Sequence, residues 1–300
     1  MIKIIIEENA EMEENMKIEN NRYEVTFDLK GGEIASFTDK ETGIQYMYQA
    51  NESWGGKNPT LFPIVGNTYD STYITKGETY TFKNHGLIRY ATLELKEQQA
   101  KSITFVLKAN EETKKTYPYN FLYEITYTLE DNKLTVLYDI TNNDGEAMPF
   151  TFGLHPGFKT NLLPGEKYTD YKLVFENEEH MEQLVFDVNK EIPHHYEEVS
   201  FKELPLDFSM MKKYATLIYR GMCSSHVSLV GPKHSVKVSI AGYPFLAFWT
   251  PKDTDNFICI EPWYSHADFE KTDIPFEKRE GMMNLEPGKS FTTSYTIEVY

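Results

Sequence analysis

Three short segments place a histidine or a carboxylate where an alternating strand pattern does not require one. These residues are His85 in segment 84–90, His155 in segment 150–158 and Glu261 in segment 257–264. The Pro-Gly pair after His155 predicts that a strand ends there, with the imidazole ring at its mouth. Glu261 follows four apolar residues that predict a buried strand. Partial burial at the end of such a strand raises the pKa of a carboxyl group and suits it to general-base chemistry.

A structural explanation stays open for each of these residues. A lone His at a strand end is usually held by the backbone, and Glu261 could simply cap a loop. Pro156 and Pro262 could be turn formers and nothing more. Trp263 and Tyr264 point to a functional use, because their aromatic faces are of the kind that pack against sugar rings.

The sequence contains no motif for a metal or a nucleotide cofactor. Eight histidines occur, but no His-x-x-x-His pair lies on a predicted helix and no Cys-x-x-Cys is found. Neither Gly-x-Gly-x-x-Gly nor a Walker loop is present. The two cysteines, Cys223 and Cys259, exclude a disulfide scaffold. We therefore expect no cofactor and no metal site.

The elements that must position these residues are strands. In residues 23–29, apolar Tyr, Val, Phe and Leu alternate with polar residues, and Gly31-Gly32 then predicts a hairpin with residues 33–37. No long stretch has helical amphipathicity. We predict an all-β protein with few helices. Further strands are predicted at residues 102–108, 121–129, 133–140, 226–230, 235–240 and 291–300.

Length and charge limit the architecture and the partners. The chain has 300 residues and a formal net charge of -16, from 46 acidic and 30 basic residues. This charge disfavours nucleic acid or an anionic membrane as the main partner. No apolar run of about 20 residues predicts a membrane span, and no secretory signal is recognisable, so we expect a cytoplasmic protein. Without a linker, we predict one domain over residues 17–300 and an acidic extension over residues 1–16.

Taken in order, these segments resemble the galactose mutarotase-like family, also called the aldose 1-epimerases, and its LacX-like branch. The similarity runs from about residue 17 to the C-terminus. The matching stretches are residues 30–36, 59–66, 85–89, 153–158, 248–250, 257–263 and 281–288. The resemblance implies a β-supersandwich that binds a sugar on one broad face. It also implies interconversion of α and β anomers of a hexose without a cofactor.

The resemblance also implies a role for individual residues. Glu261 matches the general base that takes the proton from the anomeric hydroxyl, and His155 matches the general acid that protonates the ring oxygen. His85 matches a second imidazole that orients the sugar. The substrate-binding candidates are Asn67, Arg89 and Trp263.

Two sugar-binding positions depart from the family pattern. Relatives commonly have Arg where this chain has Asn67, and Asp where this chain has Tyr214 or Ala215. An Arg-to-Asn change removes a fixed charge and several donors. We therefore expect altered specificity or weaker binding, with the acid and the base retained.

We expect a monomer or a homodimer whatever the function. Two other functions remain open. A hexose-phosphate 1-epimerase would need at least two cations at one end of the groove, for which Arg89, Lys57 and Lys83 are candidates. A catalytically silent carbohydrate-binding module is favoured by the two departures. It is disfavoured by the retained glutamate and histidines.

Overall fold

The computed structural model describes residues 16–189, 191–251 and 257–300. Strands make up 48% of the chain and helices 8%, which confirms the predicted all-β fold. In the described residues the α-helices are α1 (Glu111–Lys114) and α2 (Phe208–Tyr214). Short 3-10 turns occur at Tyr69–Ser71, Ile88–Tyr90, Tyr168–Asp170 and Phe276–Lys278.

The strands are numbered in chain order. Those of the first half are β1 (Lys17–Glu19), β2 (Tyr23–Phe27), β3 (Ile34–Asp39), β4 (Thr60–Leu61), β5 (Thr72–Thr75), β6 (Glu78–Thr81), β7 (Glu94–Gln98), β8 (Ser102–Lys108), β9 (Phe121–Glu130), β10 (Lys133–Asn142) and β11 (Met148–Phe150). Those of the second half are β12 (Gly153–Leu154), β13 (Gly157–Lys159), β14 (Lys172–Val185), β15 (His195–Pro205), β16 (Leu217–Arg220), β17 (His226–Val230), β18 (Ser235–Ser239), β19 (Phe245–Trp249), β20 (Phe257–Trp263), β21 (Met283–Leu285) and β22 (Ser290–Val299).

One antiparallel sheet of 15 strands dominates the described structure. Its order is β4-β12-β20-β19-β16-β14-β17-β18-β22-β10-β9-β8-β7, with β13 also paired to β20 and β15 also paired to β14. Smaller sheets are formed by β1-β2-β3, β5-β6 and β11-β21. The predicted hairpin is confirmed, since β2 pairs with β3, and a second hairpin joins β9 to β10 across Asp131-Asn132.

Alternation along β20 gives its two faces different surroundings. Ile258 and Ile260 are buried in the main hydrophobic core. Cys259 and Trp263 belong to smaller apolar clusters on the opposite side, and Glu261 shares their face. Because side chains alternate between the two faces of β20, the Glu261 carboxylate lies on the side of these smaller clusters and not in the main core.

The prediction that Glu261 follows a strand was wrong. The carboxylate lies inside β20, which continues through Pro262 to Trp263. Pro262 is therefore not a turn former. It is tolerated because β13 pairs with residues 257–259 and β12 pairs only with Trp263, so no strand is paired to Pro262 on that side.

The predicted extension lies outside the described residues except for Met16, which is buried and whose carbonyl accepts the N–H of Phe27. The single domain over residues 17–300 stays a prediction. No helix among the described residues is long and apolar enough to span a membrane.

Candidate active site

One cavity of about 480 Å³ is lined by all six predicted site residues. They are Asn67, His85, Arg89, His155, Glu261 and Trp263. The floor is provided by β16, β19 and β20, through Ile218, Trp249 and the Glu261 face of β20. A larger open depression, about 1290 Å³, lies around Arg22 and Tyr300 and contains none of the predicted residues.

His155 and Glu261 form a buried pair in this cavity. Nε2 of His155 lies 3.3 Å from Oε2 of Glu261, and the residues are 6% and 1% exposed. In the described part of the chain, neither Glu261 oxygen nor Nδ1 of His155 has a hydrogen-bond partner. Buried polar atoms without partners are costly, which is typical of a site where such atoms serve a function.

Burial changes the proton affinities of this pair. Loss of hydration raises the pKa of the Glu261 carboxyl well above its usual range and lowers the pKa of His155 well below it. The positive charge of Arg89 lowers both pKa values, so it opposes burial at Glu261 and adds to it at His155. Burial therefore makes Glu261 a stronger base and His155 a stronger acid than either would be in water.

His85 is fixed by a reciprocal contact with Gly66. The backbone N–H of His85 donates to the Gly66 carbonyl at 2.7 Å, and the ring Nδ1 of His85 accepts the Gly66 backbone N–H at 3.0 Å. Its φ of 66° is in the left-handed region, which costs about 1–3 kcal/mol for most non-glycine residues. The next residue, Gly86, lies so close to Phe62 that a Cβ on it would be 2.3 Å from the Phe62 carbonyl oxygen.

The same contact defines the protonation of His85. Since Nδ1 accepts a hydrogen bond, the neutral ring carries its proton on Nε2. Burial and the charge of Arg89 lower the pKa of His85 to about 3. His85 is therefore a neutral hydrogen-bond donor near pH 7 and cannot serve there as a cationic acid.

All three tryptophans of the chain line the cavity. Trp54 stacks on His155, with ring centroids 4.9 Å apart, and Trp249 meets His155 edge-on at 5.5 Å. Nε1 of Trp263 donates to the Leu154 carbonyl at 3.1 Å, which fixes the indole plane. Sequence reasoning missed Trp54 and Trp249 as wall residues. The signal that could have identified them is that tryptophan is rare in this chain.

Tyr264 was expected to offer a face to the ligand, and it does not line the cavity. Its ring packs against Phe152, Tyr243 and Phe291 on the other side of the sheet. The period of two explains the error, because neighbours on an extended chain point to opposite faces.

Charged groups at the cavity margin are mostly acidic. Asp187 and Asp268 line it, and Asp268 is bound by the guanidinium of Arg279. Arg89 is the one Lys or Arg among the described lining residues. Lys57 and Lys83 do not line the cavity, and Lys57 instead contacts Asp28 at 2.6 Å.

Comparison with known proteins identifies the family. The aldose 1-epimerase family model matches residues 14–298. The chain belongs to the aldose 1-epimerase family. Protein LacX (chromosomal) of Lactococcus lactis is 31% identical, over 95% of this chain and 99% of that protein.

Solved structures confirm the galactose mutarotase-like fold. A galactose mutarotase related enzyme from Lactobacillus acidophilus is 33% identical with a TM-score of 0.88, over 95% of this chain and 96% of that one. A galactose mutarotase-like protein from Lactobacillus casei is 25% identical with a TM-score of 0.86, over 95% of this chain and 99% of that one. The predicted family and β-supersandwich are thus confirmed for this aldose 1-epimerase family member.

The family position without its usual Asp falls at the C-terminal end of α2, just before β16. Leu184 on β14 pairs with Ile218 on β16, Asp187 lies two residues beyond the end of β14, and Ala215 caps the C-terminal end of α2. Asp187 lines the cavity, so the segment that follows β14 contributes a carboxylate there.

Proposed function

We propose that this protein is a cofactor-independent mutarotase that interconverts the α and β anomers of a hexose. The observation that carries the proposal is the buried His155–Glu261 pair, which is 3.3 Å apart, lines the cavity and has unpartnered polar atoms within the described structure. An acid and a base this close can act together on two oxygens of one carbon. Anomer exchange requires that pairing and no other reagent.

Ring opening consists of two proton transfers. The Glu261 carboxylate takes the proton of the anomeric hydroxyl while the His155 imidazolium protonates the ring oxygen, and the C1–O5 bond breaks to leave an aldehyde. After rotation about C1–C2, neutral His155 takes the proton back from the hydroxyl and Glu261 protonates the aldehyde oxygen as the ring closes. Both residues return to their starting states.

The buried environment favours the direction of these transfers. The pair holds one proton in both of its net-neutral forms, carboxylate with imidazolium or carboxylic acid with imidazole. Burial raises the pKa of Glu261 and lowers that of His155, so it favours the second form in the empty cavity, and the bound sugar has to stabilise the first form, from which ring opening starts. Proton transfer through the sugar therefore runs toward the form with less charge.

The remaining residues would bind and orient the sugar. Nε2–H of His85 is a fixed donor, because Nδ1 is occupied by Gly66. The tryptophan rings supply apolar faces for the C–H surface of a pyranose. Asn67 and Arg89 supply polar groups at the margin.

A phosphorylated hexose is a weaker candidate. A dianionic phosphate is usually held by two or more cations, and the described cavity residues provide Arg89 together with Asp187 and Asp268. A silent binding module is favoured only by Asn67 and by the lost Asp, and it leaves the unpartnered atoms of Glu261 without a use. The cytoplasmic location and the monomeric or homodimeric state stay predictions from the sequence.

The test is anomer exchange of freshly dissolved α-glucose and α-galactose, followed by polarimetry or NMR. We expect exchange well above the buffer rate, and a His155→Asn protein should lose it while its sugar affinity weakens less. A partly exposed His on β17, His226, provides the control variant His226→Asn. Wild-type protein that binds a hexose but does not exchange it would instead establish the binding module.

A further inference from the structure

Two histidines and two glutamates cluster outside the sugar cavity. We call His194, His266, Glu270 and Glu280 the His194 cluster. Ligand atoms of His194, His266 and Glu280 all lie within 4.8 Å of one another. Nε2 of His266 is 3.3 Å from Oε2 of Glu280. Nothing in the mutarotase chemistry uses these residues, so the arrangement calls for a separate explanation.

Hydrogen bonds orient both imidazoles in the way that metal-binding histidines are oriented. Nδ1 of His266 lies 2.7 Å from the Ala267 carbonyl, which can only accept, so this nitrogen carries the proton. Nδ1 of His194 lies 2.9 Å from both oxygens of Glu270. A carbonyl or carboxylate on one ring nitrogen leaves the other with a lone pair for a metal.

Glu280 completes this set of ligands. Its Oε1 is 3.3 Å from the guanidinium of Arg220, which holds the carboxylate while Oε2 faces His266. Two imidazole nitrogens and one carboxylate oxygen are a common Zn²⁺ set with a fourth position left to water. With Zn–ligand bonds of about 2.0–2.1 Å, tetrahedral ligands lie roughly 3.4 Å apart, close to the His266–Glu280 distance.

We propose that His194, His266 and Glu280 bind one Zn²⁺ ion. The proposal goes beyond the mutarotase function and does not depend on it. Its structural consequence is local, because the segment after His266 forms part of the cavity wall. The His266 ring stacks on Phe269 at 5.2 Å, and Phe269 stacks on Phe186 at 4.4 Å. Both phenylalanines line the sugar cavity, so zinc would fix that wall.

Zinc titration of chelator-stripped protein near neutral pH, followed by calorimetry, tests the proposal. We expect one Zn²⁺ per chain with micromolar or tighter affinity, a higher midpoint of thermal unfolding, and no competition from Mg²⁺, which prefers oxygen ligands. Affinity should fall as the pH is lowered, because protons compete with zinc for the ligand atoms.

Variants assign the ion to the His194 cluster. Glu280→Gln and His266→Gln should each weaken zinc binding by at least ~10-fold, and Glu270→Ala should weaken it by roughly 10-fold through the orientation of His194. Circular dichroism checks that each variant is folded, which the partly exposed Glu280 should tolerate. His155→Asn controls for the other close set, which is His155, Cys259 and Glu261. His226→Asn controls for surface His–Glu pairs.

Both controls should bind zinc as wild type does. Zinc binding that survives in the Glu280→Gln and His266→Gln proteins would overturn the proposal. So would the absence of zinc binding near neutral pH, since the cluster would then be two His–Glu ion pairs. Loss of zinc binding in His155→Asn would move the site to the sugar cavity and overturn the proposal as well.

Discussion

At the scale of single residues, the carboxylate of Glu261 has no hydrogen-bond donor in the described structure although it is buried. A buried carboxylate without a donor destabilises the fold, which indicates that Glu261 serves binding or catalysis and not stability. We expect Glu261→Gln to lower the anomer exchange rate by at least ~10²-fold, because an amide cannot take the anomeric proton. Exchange is measured by polarimetry.

Stability distinguishes this role from a structural one. The Glu261→Gln protein should unfold at the same temperature as wild type or higher, since burial favours the uncharged acid–imidazole form of the His155–Glu261 pair and removing the ionisable group then breaks no ion pair. Calorimetry measures the unfolding temperature. A large loss of stability together with near-normal exchange would contradict the assignment of Glu261 as the base.

Asp187 provides a second test at a single residue. Its carboxylate accepts the N–H groups of Asn189 and Glu191 and also lines the cavity. If it binds a sugar hydroxyl, Asp187→Asn should raise KM about 5-fold with little change in kcat, because loss of the charge weakens one hydrogen bond. The matched control is Asp207→Asn, a carboxylate that accepts the N–H of Ser209 away from the cavity. Equal KM values for both variants would reduce Asp187 to a turn residue.

The sequence could identify single residues only where a break in the strand pattern marks them. His155 stands before Pro-Gly, and Glu261 interrupts an apolar run. Trp54 carries no such mark, because its segment has no strand and it reaches His155 by a tertiary contact. Asp187 carries no such mark either, because it follows β14, a strand whose bulge interrupts its period.

At the scale of elements, the close approach of β12 to β20 determines where Trp263 lies. A Cβ on Gly153 would be 2.7 Å from Cδ1 of Trp263 and 2.9 Å from a methyl group of Val65. We expect Gly153→Ala to displace the indole, raise KM, and reduce the free energy of unfolding by about 1–3 kcal/mol. Gly145→Ala is the control, since its Cβ would meet nothing within 4 Å. Equal urea midpoints and KM values for the two proteins would contradict this account.

The elements found from the sequence are those with one buried and one wet face. β8 and β17 have the predicted bounds, and β9, β10, β18 and β22 differ by at most two residues at an end. β14 and β15 were missed. β15 pairs only with β14 and is largely exposed, so no apolar alternation is needed along it. β14 is interrupted by a bulge between Val174 and Glu179 that breaks its period.

At the scale of the whole molecule, the cavity joins parts of the chain that are far apart in sequence. Trp54, His85, His155 and Glu261 come from separate loops and strands, and the long sheet brings them together. Periodicity predicts each strand but not the order of strands, so the shape of the site was beyond prediction from patterns alone. The family resemblance supplied what periodicity could not.

Two buried histidines also couple the stability of the whole fold to pH. Burial lowers the pKa of His85 to about 3, whereas in the unfolded chain it is about 6.5. The unfolded state therefore binds the extra proton first, and stability that is fully present above about pH 6.5 is lost as the pH falls toward about 3. His155, with its lowered pKa, acts in the same direction.

The variant His85→Asn removes only one of these two histidines, and Asn tolerates the left-handed backbone and can accept the Gly66 N–H. Between about pH 7 and pH 5, wild type should lose roughly 2 kcal/mol more unfolding free energy than His85→Asn in urea titrations. Parallel losses in the two proteins would mean that His85 titrates normally in the fold.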